Sequence, residues 1–133
     1  MKKIFIVTEG PSEEHFAKAI LAPHFLDYEK NIIPITILTK RDNRHGIMYK
    51  GGMSSYSKMQ NSLEPLRQAI SAQPNPELIN NSFETAPSKR ILKAIPAYDK
   101  TVAGIEVLRR IGLNKIRDKC RHFNDWITHL EQI

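Results

Sequence analysis

Two glutamates near the start of the chain have the type and spacing for metal or acid–base chemistry. Glu9 and Glu13 stand in the pattern E-G-x-x-E, with Gly10 directly after the first of them. Two carboxylates at this spacing can share a hard cation such as Mg²⁺, or divide metal binding and proton transfer between them. Glu13 is also an ordinary first-turn residue that a helix dipole favours, so a structural role is its alternative.

A predicted strand and a predicted helix position these glutamates. Residues 4–7 are continuously apolar and partly β-branched, which is typical of a strand covered on both faces in a parallel sheet. Ser12 is the predicted N-cap of the helix that follows, and Pro23 is predicted to end it. Ligands of open α/β sheets bind outside the carboxyl ends of the strands, so Glu9 is the candidate catalytic residue and metal ligand.

A second apolar run predicts the partner strand. Residues 32–38 contain Pro34, which indicates that the start of this strand lies at an edge or a bulge. With the helix between them, the two strands form one βαβ unit with a right-handed crossover. The predicted fold class is therefore α/β, with a reduced Rossmann-like core over residues 1–72 and a mostly helical region over residues 73–133.

Helical periodicity dominates the rest of the chain. One helix is predicted from Ser54 or Ser55 to about Ser71, with Pro65 as a kink or break. Its predicted inner face consists of Tyr56, Met59, Leu63, Leu66 and Ile70. Four short helices are predicted after Thr85, at residues 86–94, 99–111, 114–120 and 124–132. Pro96 and Gly112 separate them.

Composition indicates one domain without disulfides. The chain has 133 residues, 41% of them hydrophobic, and a single cysteine, Cys120. One cysteine excludes an internal disulfide framework. No apolar stretch approaches the roughly 20 residues that cross a bilayer, and the N-terminal apolar run lacks a signal-peptide cleavage site. We therefore expect a single cytoplasmic domain over residues 1–133, with no membrane segment.

A basic segment that contains glycine and tyrosine follows the second strand. The net charge of +6 favours polyanionic partners such as nucleic acid or phosphorylated ligands. Lysine and arginine neutralise phosphates, tyrosine stacks on bases, and glycine allows close approach of the backbone. The candidate binding residues are Lys40, Arg41, Arg44, Lys50, Gly51, Gly52, Tyr56 and Lys58. The alternative is a solvated basic loop with Tyr56 in the core.

Three further residues are weaker candidates. Asp42 follows the second strand and is the candidate third metal ligand beside Glu9. Its alternative role is to balance the charges of the neighbouring arginines. Lys89 and Arg90 form a second basic group, which is either a binding surface or a solvated helix face.

The opening run IFIVTEGPSEEHF resembles the first motif of the Toprim domain, the α/β module of topoisomerases, primases and related nucleases. Later segments resemble an uncharacterised bacterial Toprim-like family, described as a domain of unknown function. These segments are KRDNRHGIMYKGGMSSYSK, NPELINN, ETAPSKRILKAIPAYDK and GLNKIRDKCRHFNDWITHLE. The resemblance covers most of the chain. It implies that Glu9 is the motif glutamate, with a role in acid–base or metal chemistry.

The same resemblance implies a metal-binding pair that this chain does not contain. Toprim enzymes carry an Asp-x-Asp pair, which binds Mg²⁺, at the end of a later strand. Family members carry an acidic, sheet-forming segment between the stretches that match Lys58 and Ser62, whereas this chain passes directly from one to the other. The resemblance therefore implies a Mg²⁺-dependent nuclease with an incomplete site, and it leaves open whether the protein is catalytic.

Three functions remain open from the sequence. The first is a Toprim-like protein that binds nucleic acid or phosphates through the basic segment. The second is a non-catalytic binding or regulatory subunit, because the resemblance implies relatives encoded beside an ATPase in settings suggestive of phage defence. The third is a module that binds small phosphates. Because two strands leave edges uncovered, we also expect a homodimer or a complex with an ATPase partner.

Overall fold

The described residues of this mixed α/β chain form two strands and a series of helices. A computed structural model describes residues 1–37, 56–79 and 82–133, with side chains in the second range described from residue 63. The first part contains β1 (Lys2–Thr8), α1 (Pro11–Phe16), a π-helical turn (Ala17–Leu21), α2 (Ala22–Leu26) and β2 (Lys30–Thr36). The remainder contains α3 (Tyr56–Ala72), a 3₁₀ turn (Pro76–Leu78), α4 (Pro87–Ala94), α5 (Ala103–Ile111), α6 (Leu113–Lys119) and α7 (Arg121–Gln132).

β1 and β2 pair in parallel, as the sequence predicts. The register is regular, from Lys2 opposite Lys30 to Thr8 opposite Thr36. Pro34 lies inside this register opposite Ile6. Within the described residues each strand has one neighbour, so the proline lies on an edge strand, where a missing N–H is tolerated.

The helical run after β1 begins differently from the prediction. Gly10, not Ser12, is the residue that precedes the first helical turn. Pro11 occupies the first helical position, which suits its fixed φ and its lack of an N–H. Ser12 therefore lies inside the helix, where its hydroxyl oxygen is buried and has no hydrogen-bond partner within the described chain.

Pro23 does not end this helical run, so that prediction is wrong. The run continues to Leu26 by way of the π-helical turn, in which the Ala22 N–H donates to the Ala17 carbonyl five residues earlier. A proline ring in a regular α-helix clashes with the carbonyl four residues before it. The wider π-helical turn directly precedes Pro23, and it gives the ring the room that a regular turn lacks.

The core forms where the inner face of the sheet meets the helical run and α7. The side chains of Phe25, Leu21 and Ile127 are fully buried. The remaining core residues are Ala17, Ile32 and Leu130, and the partly buried Ile4, Ile6, Phe16, Ala22, Leu113 and Phe123 pack against them. Phe123, Ile127 and Leu130 of α7 thus face the core, whereas Trp126 is 39% exposed.

The opposite face of the sheet is exposed. Phe5 and Val7 are 59% and 64% exposed, and Ile35 of β2 is exposed beside them. These residues alternate along the strands with the packed Ile4 and Ile6, since successive side chains point to opposite faces. The prediction that the first strand is covered on both faces is therefore wrong.

The helices after Thr85 begin and end within a few residues of their predicted positions. Gly112 separates α5 from α6 with a φ of 79°, a left-handed value that glycine adopts without strain. None of the described helices is long and apolar enough to cross a membrane. The mostly helical C-terminal half is confirmed.

The chain divides into two compact units. Met1–Asn43 and Asp99–Ile133 form the first, and Arg44–Tyr98 forms the second. In the second unit α3 packs against α4, and Pro65 lies inside α3 without ending it. Ile70 of α3 is exposed, so its predicted place on the inner face is wrong. The expectation of a single domain stays a prediction.

A polar cluster ties α7 to the rest of the first unit. The Glu131 carboxylate, 11% exposed, accepts hydrogen bonds from both Nη atoms of Arg117 in α6 and lies 2.7 Å from His24 Nε2 in α2. The buried Lys30 of β2 donates to the Glu131 carbonyl at 2.6 Å. Burial acts to raise the pKa of Glu131, but hydrogen bonds from Arg117 and His24 outweigh it and lower that pKa from 4.5.

We predict that Glu131→Ala lowers the free energy of unfolding by about 3 kcal/mol at neutral pH, because it leaves the largely buried Arg117 without its carboxylate. The pKa of Glu131 is lower in the folded protein than in the unfolded chain. The ionised Glu131 therefore stabilises the fold at any pH above its pKa in the unfolded chain, and this stabilisation is lost as the pH falls through its pKa in the folded protein. The difference between variant and wild type should therefore shrink as the pH falls below 4.5.

Urea unfolding at neutral and acidic pH measures both effects. The control is Glu106→Ala, which removes an exposed carboxylate on α5 and should cost less than about 1 kcal/mol. Equal losses for the two variants, or a Glu131→Ala difference that does not change with pH, would contradict the prediction.

Candidate functional site at the strand ends

The carboxyl ends of β1 and β2 lie side by side, as parallel pairing requires. The buried Thr8 ends β1 and Thr36 ends β2, with their hydroxyl oxygens 3.0 Å apart. The Ile37 N–H donates to the Thr8 carbonyl at 2.9 Å and continues the pairing by one residue. Glu9 follows Thr8 and is exposed, so it lies at the sheet edge where the sequence places it.

Glu13 lies over the turn that begins with Glu9. Gly10 has an extended backbone, with a φ of −164°, and its carbonyl accepts from the Glu14 N–H at 3.2 Å. A Cβ added to Gly10 would lie 3.3 Å from Glu13 Oε2. The Glu13 carboxylate therefore folds back over Gly10, so Glu9 and Glu13 flank the same residue.

Glu14, an acidic residue in the first turn of α1, links the helix to the strand ends. Its Oε2 accepts from the Thr36 hydroxyl at 2.8 Å, and its Oε1 accepts from Lys18 Nζ at 2.5 Å. Hydrogen bonds from Lys18 and Thr36, together with the Lys18 charge, lower the pKa of Glu14. Thr36 lies inside the second predicted apolar run, so no sequence signal points to this contact.

Two described carboxylates at this edge could hold a Mg²⁺ ion. Within the part of the chain that the structure describes, no group of three or more His, Cys, Asp or Glu side chains is close enough to hold a metal. Glu14 is engaged by Lys18 and Thr36, which leaves the exposed Glu9 and Glu13 as the available carboxylates. Mg²⁺ commonly binds through one or two carboxylates plus waters and substrate phosphates, so these two residues fit such a site.

The other predicted site residues divide between undescribed and described positions. Lys40, Arg41, Asp42, Arg44, Lys50, Gly51 and Gly52 lie outside the described residues. Tyr56 and Lys58 lie in α3, and their side chains are not described. Lys89 and Arg90 lie in α4, where Lys89 Nζ is 4.7 Å from the centre of the Phe83 ring and Arg90 Nε donates to the Thr85 carbonyl at 2.7 Å.

Fold and site together define a small α/β protein whose described part has one parallel strand pair, a helical C-terminal half and carboxylates at the strand ends. The chain belongs to the family described as a domain of unknown function, DUF4276, whose model matches residues 53–131. The match begins after β2, so Glu9, Glu13 and Glu14 precede it. No curated protein and no solved structure matches the chain significantly.

We predict that Thr36→Val raises the pKa of Glu14 toward 4.5, because it removes one of the hydrogen bonds that lower this pKa. The pKa should stay somewhat depressed, since the Lys18 contact remains. Carboxyl-carbon NMR titration measures the change. Thr128→Val is the control, because Thr128 contacts Arg117 in the other polar cluster. An unchanged Glu14 titration in Thr36→Val would contradict the described contact.

Proposed function

We propose that this chain is a bacterial, cytoplasmic Toprim-like protein that binds nucleic acid or other phosphorylated ligands and is related to Mg²⁺-dependent nucleases. The observation that carries the proposal is the place of Glu9 at the carboxyl end of a parallel strand pair. In open α/β sheets this edge borders the ligand crevice. The E-G-x-x-E turn that carries the resemblance to Toprim lies at the same edge.

In this proposal the three glutamates at the strand ends, Glu9, Glu13 and Glu14, have different roles. Glu9 and Glu13 would hold Mg²⁺, which would supply Lewis-acid chemistry toward a phosphoryl oxygen. Glu14 stays ionised because its pKa is lowered, so it orients Lys18 and the strand ends and does not donate a proton. In the alternative division, Glu13 binds the ion and Glu9, the carboxylate that the resemblance selects, carries out the acid–base chemistry.

The basic segment supplies the phosphate surface. It follows β2 in the chain, and β2 ends beside Thr8 and Glu9. A segment that leaves the sheet at this edge starts next to the proposed metal ligands. Its proposed phosphate-binding residues are Lys40, Arg41, Arg44, Lys50, Gly51, Gly52, Tyr56 and Lys58, and Asp42 is the proposed third metal ligand. Lys89 and Arg90 of α4 are proposed as a separate phosphate-binding group.

A second candidate is a non-catalytic binding or regulatory subunit of an ATPase-containing defence complex. Two observations favour it over a nuclease. Glu14 is held by Lys18 and Thr36, so only two exposed carboxylates remain at the described site. The outer face of the sheet also exposes Phe5 and Val7, and an apolar surface of this kind suits a homodimer or an ATPase partner.

Binding tests the phosphate surface. Changing Arg41, Arg44 and Lys50 to glutamine together should weaken binding of a labelled single-stranded oligonucleotide. If each residue contacts one phosphate, the plot of log affinity against log salt should become less steep, with the magnitude of its negative slope smaller by about 2. Fluorescence anisotropy over a range of salt concentrations measures this slope. Lys115, Lys119 and Arg121, changed together to glutamine, give a control with the same loss of charge, and equal effects of the two triple variants would refute the surface.

Cleavage tests the metal site. Glu9→Gln should abolish DNA or RNA cleavage that depends on Mn²⁺ or Mg²⁺ and leave the circular dichroism spectrum unchanged. Glu64→Gln, an exposed glutamate on α3, is the control and should cleave as the wild type does. Undiminished cleavage by Glu9→Gln would refute the catalytic role. A wild type that binds the oligonucleotide through the basic segment but cleaves nothing would favour the binding subunit.

A further inference from the structure

A concave surface lies in the first unit, between the helical run and α5. Its volume is about 470 Å³, within the range of pockets that hold small molecules. Three nitrogen-bearing side chains line it, those of His15, Lys18 and Arg109. Apolar lining comes from Ala19, Val102 and Ile105. We call this surface the α5 cleft.

The cationic groups of the α5 cleft are accessible. The side chains of Lys18 and Arg109 are 59% and 58% exposed. Each has an acidic neighbour: Lys18 contacts Glu14 at 2.5 Å, and Arg109 lies 3.9 Å from Glu106. Glu106 also contacts Arg110 at 3.2 Å, so one carboxylate serves two guanidinium groups and α5 keeps an excess positive charge.

His15 offers a directed polar atom beside these cations. Its Nδ1 lies 3.4 Å from the Thr101 carbonyl oxygen. A carbonyl only accepts hydrogen bonds, so this contact places the hydrogen on Nδ1 and leaves Nε2 for a ligand. The contact joins the helical run to the segment before α5, so both sides of the cleft are connected at its rim.

The cleft also has an apolar wall that a ligand can contact. Ile105 is buried, whereas Val102 is largely exposed beside it. An exposed branched side chain next to a buried one forms a surface on which a planar ring can pack. The combination of two accessible cations and an apolar wall fits a phosphate ester that carries a ring system.

We propose that the α5 cleft binds a nucleotide unit, with its phosphate on Lys18 and Arg109 and its ring system against Val102 and Ile105. The nucleotide is either free or part of a nucleic-acid strand, since both carry a phosphate ester beside a base, a monoester in the first case and a diester in the second. The inference goes beyond the proposed function, because it needs neither Mg²⁺ at Glu9 nor the basic segment. All the residues involved lie in the first unit, among its described residues.

The chain offers a closely matched pair of variants for the test. Arg109 and Arg110 are neighbours on α5 and share Glu106, but Arg110 does not line the cleft. Arg109→Gln should weaken binding about fivefold at 0.1 M salt, the effect of losing one phosphate contact on a single strand. Arg110→Gln removes the same charge and should leave the affinity nearly unchanged.

Two probes distinguish the sources of the phosphate. Binding of adenosine monophosphate is measured by calorimetry, and binding of a labelled oligothymidylate is measured by fluorescence anisotropy. Both probes are tested with the wild type, Arg109→Gln and Arg110→Gln. Loss of affinity for both probes in Arg109→Gln supports a site for a free nucleotide. Loss for the oligothymidylate alone supports a site for one unit of a strand.

The opposite results overturn the inference. Equal effects of Arg109→Gln and Arg110→Gln would show that only overall charge matters, and binding of neither probe by the wild type would remove the site. These failures are separate from those of the proposed function. The triple variant of the basic segment could lower the salt slope while Arg109→Gln changes nothing, in which case the α5 cleft fails and the phosphate surface stands.

Discussion

The parallel pairing of β1 with β2 is the constraint on which the rest of the first unit depends. Parallel neighbours cannot be joined by a tight turn, so the chain must travel back along the sheet before the second strand begins. The helical run makes this return and packs Leu21 and Phe25 against the inner face. The same pairing places both carboxyl ends at one edge, where Thr8, Thr36 and Glu14 are joined by hydrogen bonds.

A sheet of two strands presents little surface for a core, and the C-terminal helix supplies the missing cover. Ile127 and Leu130 of α7 enter the same core as Ile32 of β2. The polar cluster around Glu131 then anchors α7, because Lys30 and Arg117 both donate hydrogen bonds to Glu131. Residues about a hundred positions apart thus form one core, whose outer sheet face stays exposed at Phe5 and Val7.

The candidate site was only partly predictable. Glu9 could be located from the sequence because a strand, a turn and a helix follow one another directly, and the order alone places a carboxylate at the strand end. Glu14 could not be distinguished from Glu13 in this way, since both are acidic residues in a first helical turn. The difference is that Glu14 faces Thr36, and this depends on how the helix packs over the second strand.

Local chemistry in the sequence determined the parallel strand pair, the mostly helical second half and the breaks between the last helices, because apolar periodicity, proline and glycine act over a few residues. Tertiary structure decided that the helix continues past Pro23 and that one face of the sheet is exposed. It also decided that Lys18 and Arg109 line the same cleft. These features depend on which surfaces pack together. Packing joins residues far apart in the chain, whereas a sequence pattern reports only on neighbours.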